Sequence, residues 1–261
     1  MRVHVALSPA EFSDAPLPDR VALAVDVLRA TTAAVAACEA GCRRVVPVAD
    51  AAAAEALRDA PDTLLAGERG GEVIEGFHFG NSPGEFTAAR VGGRTVILTT
   101  TNGTAAMLRA ASAAVAGLAA LTNLTAAARW ALGEGRDVSI LCAGDDGAFS
   151  LEDAVCAGLL VARLADGAPG AVLSDGAVAA LGLGRHYGAR LGRLADDSPW
   201  ARKLLRRGRA ADVAACLRTD VSRVVPVFAA GGFAVPRPDP ARLAATGPTR
   251  RGPRDGAEAG A

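Results

Sequence analysis

The sequence predicts an α/β fold, with helices on both faces of a largely parallel sheet. Three observations predict it. Short β-branched runs alternate with alanine-rich helical stretches over the first two thirds of the chain, the pattern of strands joined by crossover helices. Several strand-to-helix joints carry acids, hydroxyls and glycines, where such a sheet presents its ligand crevice. The chain of 261 residues is 51% hydrophobic and 21% charged, enough for one large packed core.

Residues 2–7 and 20–26 read as strands, and the first begins at once with no signal-peptide pattern. A helix is expected over 29–40, stopped by Gly41. A strand at 44–48 and a short helix at 51–58 follow. The strand at 63–66 delivers a stretch from Gly67 to Thr87 that contains no alanine and is rich in glycine. Glycines allow positive φ and close backbone approach to a ligand, so this stretch reads as part of a site. Phe77 and Phe79 flank His78 and suggest an anchored loop, with His78 structural. Ser82-Pro83 reads as a helix start.

Beyond it come a strand at 94–100, a helix at 103–110, a strand at 114–118 and a helix at 122–131. A strand at 137–142 leads to a long helix at 151–165, with Ser150 as its cap. Residues 175–217 turn helical and basic, and 221–228 read as a final strand. The pentapeptide Arg-Val-Val-Pro-Val occurs at Arg44 and again at Arg223; proline lacks a ladder donor, so both copies read as edge strands. Residues 1–240 read as one domain and 246–261, rich in Gly, Pro, Arg and Ala, as a disordered tail.

Composition narrows the chemistry. The net charge is zero and only ten residues are Phe, Trp or Tyr, which disfavours nucleic-acid binding. No apolar run reaches the ~18 residues of a membrane span. Five scattered cysteines read as free thiols in a cytoplasmic protein. Lys203 is the only lysine, so a Walker loop is absent and a Schiff base is disfavoured. Three histidines lack zinc spacing. Cys38 and Arg44 match a cysteine-phosphatase spacing, but Cys38 falls late in a helix. Asp-Val-Leu-Arg-Ala-Thr lacks the second aspartate of haloacid-dehalogenase-type phosphatases, and no Gly-x-Ser-x-Gly elbow occurs.

Four joints carry the chemistry that remains. In the segment from Val25 to Thr32, Asp26 ends a strand and Arg29, Thr31 and Thr32 open a helix, where amides favour anions. Asp26 reads equally well as a helix cap. In Gly67-Glu68-Arg69-Gly70-Gly71, Glu68 suits a metal and Arg69 an oxyanion, against a surface hairpin with a local ion pair. Thr99 to Thr104 places hydroxyls and an Asn-Gly turn before a helix, a phosphate cradle or an ordinary cap. The segment from Cys142 to Asp153 holds four acids, which suit a helix dipole or a hard cation such as Mg²⁺. Together the joints fit Mg²⁺-assisted chemistry on a small phosphorylated anion.

DVLRATT, GERGG with GFHFGNSP, TTNGT and CAGDDGAFSLEDAVCAG resemble, in order, the signature blocks of the 2-phosphosulfolactate phosphatase family. The resemblance runs from about Val3 to Val235. It implies a three-layer α/β/α fold with a mixed sheet. It further implies Mg²⁺-dependent hydrolysis of 2-phosphosulfolactate to sulfolactate and phosphate, a reaction of coenzyme M biosynthesis. A homodimer is an expectation at the family level only. On this resemblance Asp26, Arg29 and Glu68 are the expected catalytic residues. Asp26, Glu68, Glu152 and Asp153 are the expected Mg²⁺ ligands. Arg29 and Arg69 would take sulfonate and carboxylate, and Asn102, Gly103 and Thr104 the phosphate, with Asn81, Ser82 and Thr101 completing the substrate site. Whether Asp26 or a metal-activated water attacks phosphorus is left open by the residues. So are two other readings, a same-fold phosphatase of another small phosphoester and a non-catalytic binder of an anionic metabolite.

Overall fold

The computed structural model describes residues 1–236, so the expected tail at 246–261 lies outside the described residues. In chain order the elements are β1 (Arg2–Ala6), β2 (Val21–Val25), α1 (Ala30–Glu39), β3 (Arg44–Pro47), α2 (Ala51–Glu55), β4 (Thr63–Arg69), β5 (Glu72–Val73), α3 (Ala88–Val91), β6 (Thr95–Thr99), α4 (Gly103–Ala110), β7 (Val115–Ala119), α5 (Leu124–Gly133), β8 (Val138–Cys142), α6 (Leu151–Gly167), β9 (Val172–Leu173), α7 (Asp175–Tyr187), α8 (Leu194–Asp197), α9 (Pro199–Arg206), α10 (Ala210–Cys216), β10 (Val227–Ala229) and β11 (Gly232–Ala234). They form the expected three-layer α/β/α arrangement around a mixed, mostly parallel sheet.

The sheet order is β5-β4-β6-β3-β11-β10-β7-β2-β8-β1-β9. Two parallel blocks, β4-β6-β3 and β7-β2-β8-β1-β9, are joined by the antiparallel β10–β11 hairpin. β2 lies inside its block and every one of its residues is buried. Its side chains alternate, as strand geometry requires. Val21, Leu23 and Val25 enter one core with β8 and residues of α5, α6, α9 and α10. Ala22 and Ala24 enter the other core, where α1 presents Ala33, Ala34 and Ala37 and α4 presents Ala106 and Met107. Alanine against alanine lets α1 approach the sheet closely, which fixes where its N-terminus points. The α6–α7 pair also packs closely: a Cβ at Gly158 would collide with the carbonyl of Ala180.

Three expectations are corrected. Residues 221–226 are not strand; only Val227–Ala229 pairs, and Pro226 contributes its carbonyl to the Leu118 N–H at 3.0 Å. Neither Arg-Val-Val-Pro-Val copy is an edge. β3 lies between β6 and β11, and β11 meets it only at Val45↔Phe233, so Pro47 lies beyond the pairing on that side. Among the described residues Ser150 finds no side-chain capping bond to α6, whereas Ser82 and Pro83 do open a helical turn, the 3-10 segment Pro83–Glu85. Phe79 is buried against Phe86, with Arg90 over its ring, and His78 accepts from the Leu65 N–H at 3.0 Å. The loop is anchored and His78 is structural, as expected. The five cysteines are free thiols. Among the described residues no helix is long and apolar enough to cross a membrane.

Candidate active site

The C-terminal ends of β2, β4, β6 and β8 deliver their loops to one cleft. Asp26 follows β2 and is fixed by the first turn of α1. Its Oδ1 accepts the Ala30 N–H at 3.0 Å, and its amide donates to Thr31 Oγ1 at 2.9 Å. Asp26 is thus the cap its position allowed and also part of the cleft lining. Among the described residues Oδ2 has no hydrogen-bond partner; it faces Gly103, where an added Cβ would collide with both Oδ2 and Ala30. Gly103 is therefore required as space for Asp26. Burial pushes the Asp26 carboxyl up to about 7; the Ala30 amide opposes this, Glu68 and Glu152 add to it, and Arg29 opposes it.

Glu68, at the end of β4, is buried and holds the alanine-free hairpin to the loop after β6. It accepts the Gly71 N–H at 2.6 Å and the Thr101 N–H at 2.7 Å. Asn81 lines the cleft with its Oδ1 buried and, among the described residues, without a partner. Thr101 and Asn102 also line it, and Asn102 Oδ1 accepts the Asp146 N–H at 3.1 Å. Thr104 is set deeper. Its N–H donates to Thr100 Oγ1 at 3.1 Å and its hydroxyl to the Thr100 carbonyl at 3.1 Å, so it shapes the turn.

The arginines are occupied by protein groups. Arg29 is buried, donating to Asp212 Oδ2 at 2.5 Å and to the Gly71 carbonyl at 2.9 Å. Arg69 lies outside the lining and donates to the Glu68 carbonyl and to Thr99 Oγ1 at 2.8 and 3.0 Å. Ser82 is likewise outside and donates to Asp212 Oδ1.

The expected Mg²⁺ ligands divide. Asp26 and Glu68 share the cleft; Glu152 and Asp153 lie behind it, at the start of α6. Asp153 accepts the Val27 and Gly144 amides at 2.8 and 3.1 Å, tying the β2 and β8 loops together. Burial raises the Glu152 carboxyl, with the Ser198 and Ser150 hydroxyls opposing, and raises that of Asp153 further. Among the described residues no three His, Cys, Asp or Glu side chains form an all-protein metal cage.

Residues without an assigned role in the sequence reading complete the lining: Leu28, Gly70, Asp145, Asp146, Trp200 and Lys203. The two acids belong to the carboxylate-rich turn already noted. Trp200 and Lys203 stand three apart on α9, hence on one helical face, and that spacing was the available signal. Asp212 had none, being 183 residues from Arg29 in sequence. The lining carries four carboxyl groups (Asp26, Glu68, Asp145, Asp146) against two cationic side chains, Arg29 and Lys203. Arg29 is already neutralised by Asp212.

A family model described as 2-phosphosulpholactate phosphatase matches residues 6–231. A relative from Symbiobacterium thermophilum, named probable 2-phosphosulfolactate phosphatase, is 41% identical over 230 residues, covering 87% of this chain and 97% of its own. One of the same name from Deinococcus radiodurans is 42% identical over 234 residues, covering 88% and 95%. A third, from Gloeobacter violaceus, is 39% identical over 241 residues, covering 90% and 98%.

Proposed function

We propose that this chain, which belongs to the 2-phosphosulpholactate phosphatase family, is a Mg²⁺-dependent phosphatase that hydrolyses 2-phosphosulfolactate to sulfolactate and phosphate. The observation that carries the cation is the imbalance of four carboxyls against two cationic side chains in the cleft. The substrate brings phosphate, sulfonate and carboxylate. Like charges about 4 Å apart repel by roughly 4 kcal/mol near a protein surface, so such a cleft excludes a polyanion unless a counter-cation joins it.

The donor set fits Mg²⁺. The cation prefers hard oxygens, uses one or two carboxylates and shares substrate phosphate oxygens. Asp26 Oδ2 and Asn81 Oδ1, neither with a hydrogen-bond partner among the described residues, are such oxygens, and Glu68 shares the same lining. When bound, Mg²⁺ would neutralise charge on the transferring phosphoryl group. The roles open to Asp26, attack on phosphorus and holding the cation, both require its ionised form. Glu68 fixes the Gly71 and Thr101 amides that border the cleft. Asn102 and Gly103, at the start of α4, place a helix N-terminus toward the phosphate.

A panel of phosphate monoesters, assayed for phosphate release with Mg²⁺ and with EDTA, tests the reading. Turnover of 2-phosphosulfolactate in preference to non-sulfonated esters supports it. Clear preference for non-sulfonated esters, or no turnover of any, overturns it.

A further inference from the structure

We propose that Lys203 is the specificity-determining residue of this site. Held over the indole of Trp200, it binds an acid group of the substrate other than the phosphate. This rests on the phosphatase reading and deepens it. Lys203 is the only lysine of the chain, and it reaches the cleft from α9, an element with no conventional motif. Its Nζ lies 4.5 Å from the Trp200 ring centroid. Trp200 is itself fixed, its Nε1–H donating to the Leu28 carbonyl at 2.7 Å, and Leu28 also lines the cleft. An ammonium over an anchored indole is held by the ring's electron-rich face without losing its three donors.

Arg29, Arg69, Arg207 and Arg209 each donate to a protein acceptor: Arg29 to Asp212 and Gly71, Arg69 to Glu68 and Thr99, Arg207 to Gly70, Arg209 to Glu72. Among the described residues no carboxylate lies within 4.0 Å of Lys203 Nζ. The charge that faces it is that of Asp145, whose carboxyl is raised by burial and by Asp146 and lowered by Lys203. Asp145 and Asp146 lie on the β8 loop, Asp26 on the β2 loop, and Lys203 on α9. The carboxylates and the free ammonium are thus supplied by different elements of one cleft. An ester with a second acid group can place its phosphate among the carboxylates and their cation, and its other acid at Lys203. A simple alkyl phosphate gains nothing from the lysine.

The test compares parent, Lys203→Gln and Lys203→Arg. The quantity read is the ratio of kcat/KM for 2-phosphosulfolactate to that for a simple alkyl phosphate. Loss of a charge-assisted hydrogen bond predicts a fall in this ratio of about 10- to 100-fold for Lys203→Gln, expressed mainly in KM. Lys203→Arg should retain most of it. Lys203 is half-buried at the surface, so both variants are expected to fold. An unchanged ratio in Lys203→Gln overturns the proposal. Calorimetric binding of sulfolactate to parent and Lys203→Gln gives the same answer without turnover. A tenfold or greater loss of affinity supports the subsite, and equal affinity removes it, whatever becomes of the phosphatase reading.

Discussion

At Asp26, structure and chemistry oppose each other most directly. The carboxyl has an ordinary value of 3.8 in the unfolded chain and about 7 in the fold without metal, chiefly through burial. Between those values the folded state binds more protons than the unfolded one, so stability falls as pH rises through that window and levels off above it. Asparagine has no charge to desolvate and can still accept from Ala30. In EDTA, the Tm advantage of Asp26→Asn over parent should therefore be larger at pH 8 than at pH 4; an equal or reversed difference would remove this account of the site. The same substitution should abolish turnover. Gly103→Ala is expected to lose at least 100-fold in kcat/KM and about 1–3 kcal/mol in urea unfolding, because its Cβ meets Asp26 Oδ2 and Ala30. Asp26, Glu68, Asn81, Thr101 and Asn102 were legible in the sequence because each stands at a strand end or in the alanine-free stretch. Arg69 and Ser82 stand there too, but backbone geometry turns them to Thr99 and Asp212.

Among elements, α9 and α10 close the cleft over the hairpin. Arg207 donates to the Gly70 carbonyl, Arg209 meets Glu72 at 3.2 Å, and Asp212 joins Arg29 to Ser82. Surface pairs such as Arg209–Glu72 contribute little on their own. Asp212 differs because Arg29 is buried. Asp212→Ala would leave that guanidinium without its counter-charge, with an expected loss of about 3–5 kcal/mol in urea unfolding; a loss below 1 kcal/mol would show that the pair is dispensable. Most elements could be read from periodicity and punctuation, as with Gly41 after α1 and the strand before TTNGT. The clasp could not, since its partners are separated by 137 residues for Arg207 and Gly70 and no local pattern encodes such a meeting. The β10–β11 hairpin was missed for a related reason: each strand has three residues, too few for alternation to show.

For the whole molecule, the alternation of strand and helix predicted the class, and the two-faced burial of β2 realises it. The hairpin that joins two parallel blocks gives a mixed sheet, and the strand ends of both blocks serve one cleft. Net charge over the chain is zero, yet the cleft is locally acidic, which whole-chain composition cannot reveal. That local excess is the reason a divalent cation is central to the proposed reaction. The direct test is phosphate release from 2-phosphosulfolactate by protein dialysed against EDTA and then titrated with Mg²⁺. Turnover should be absent at first and rise to saturation with added Mg²⁺. Undiminished turnover in EDTA would contradict the account.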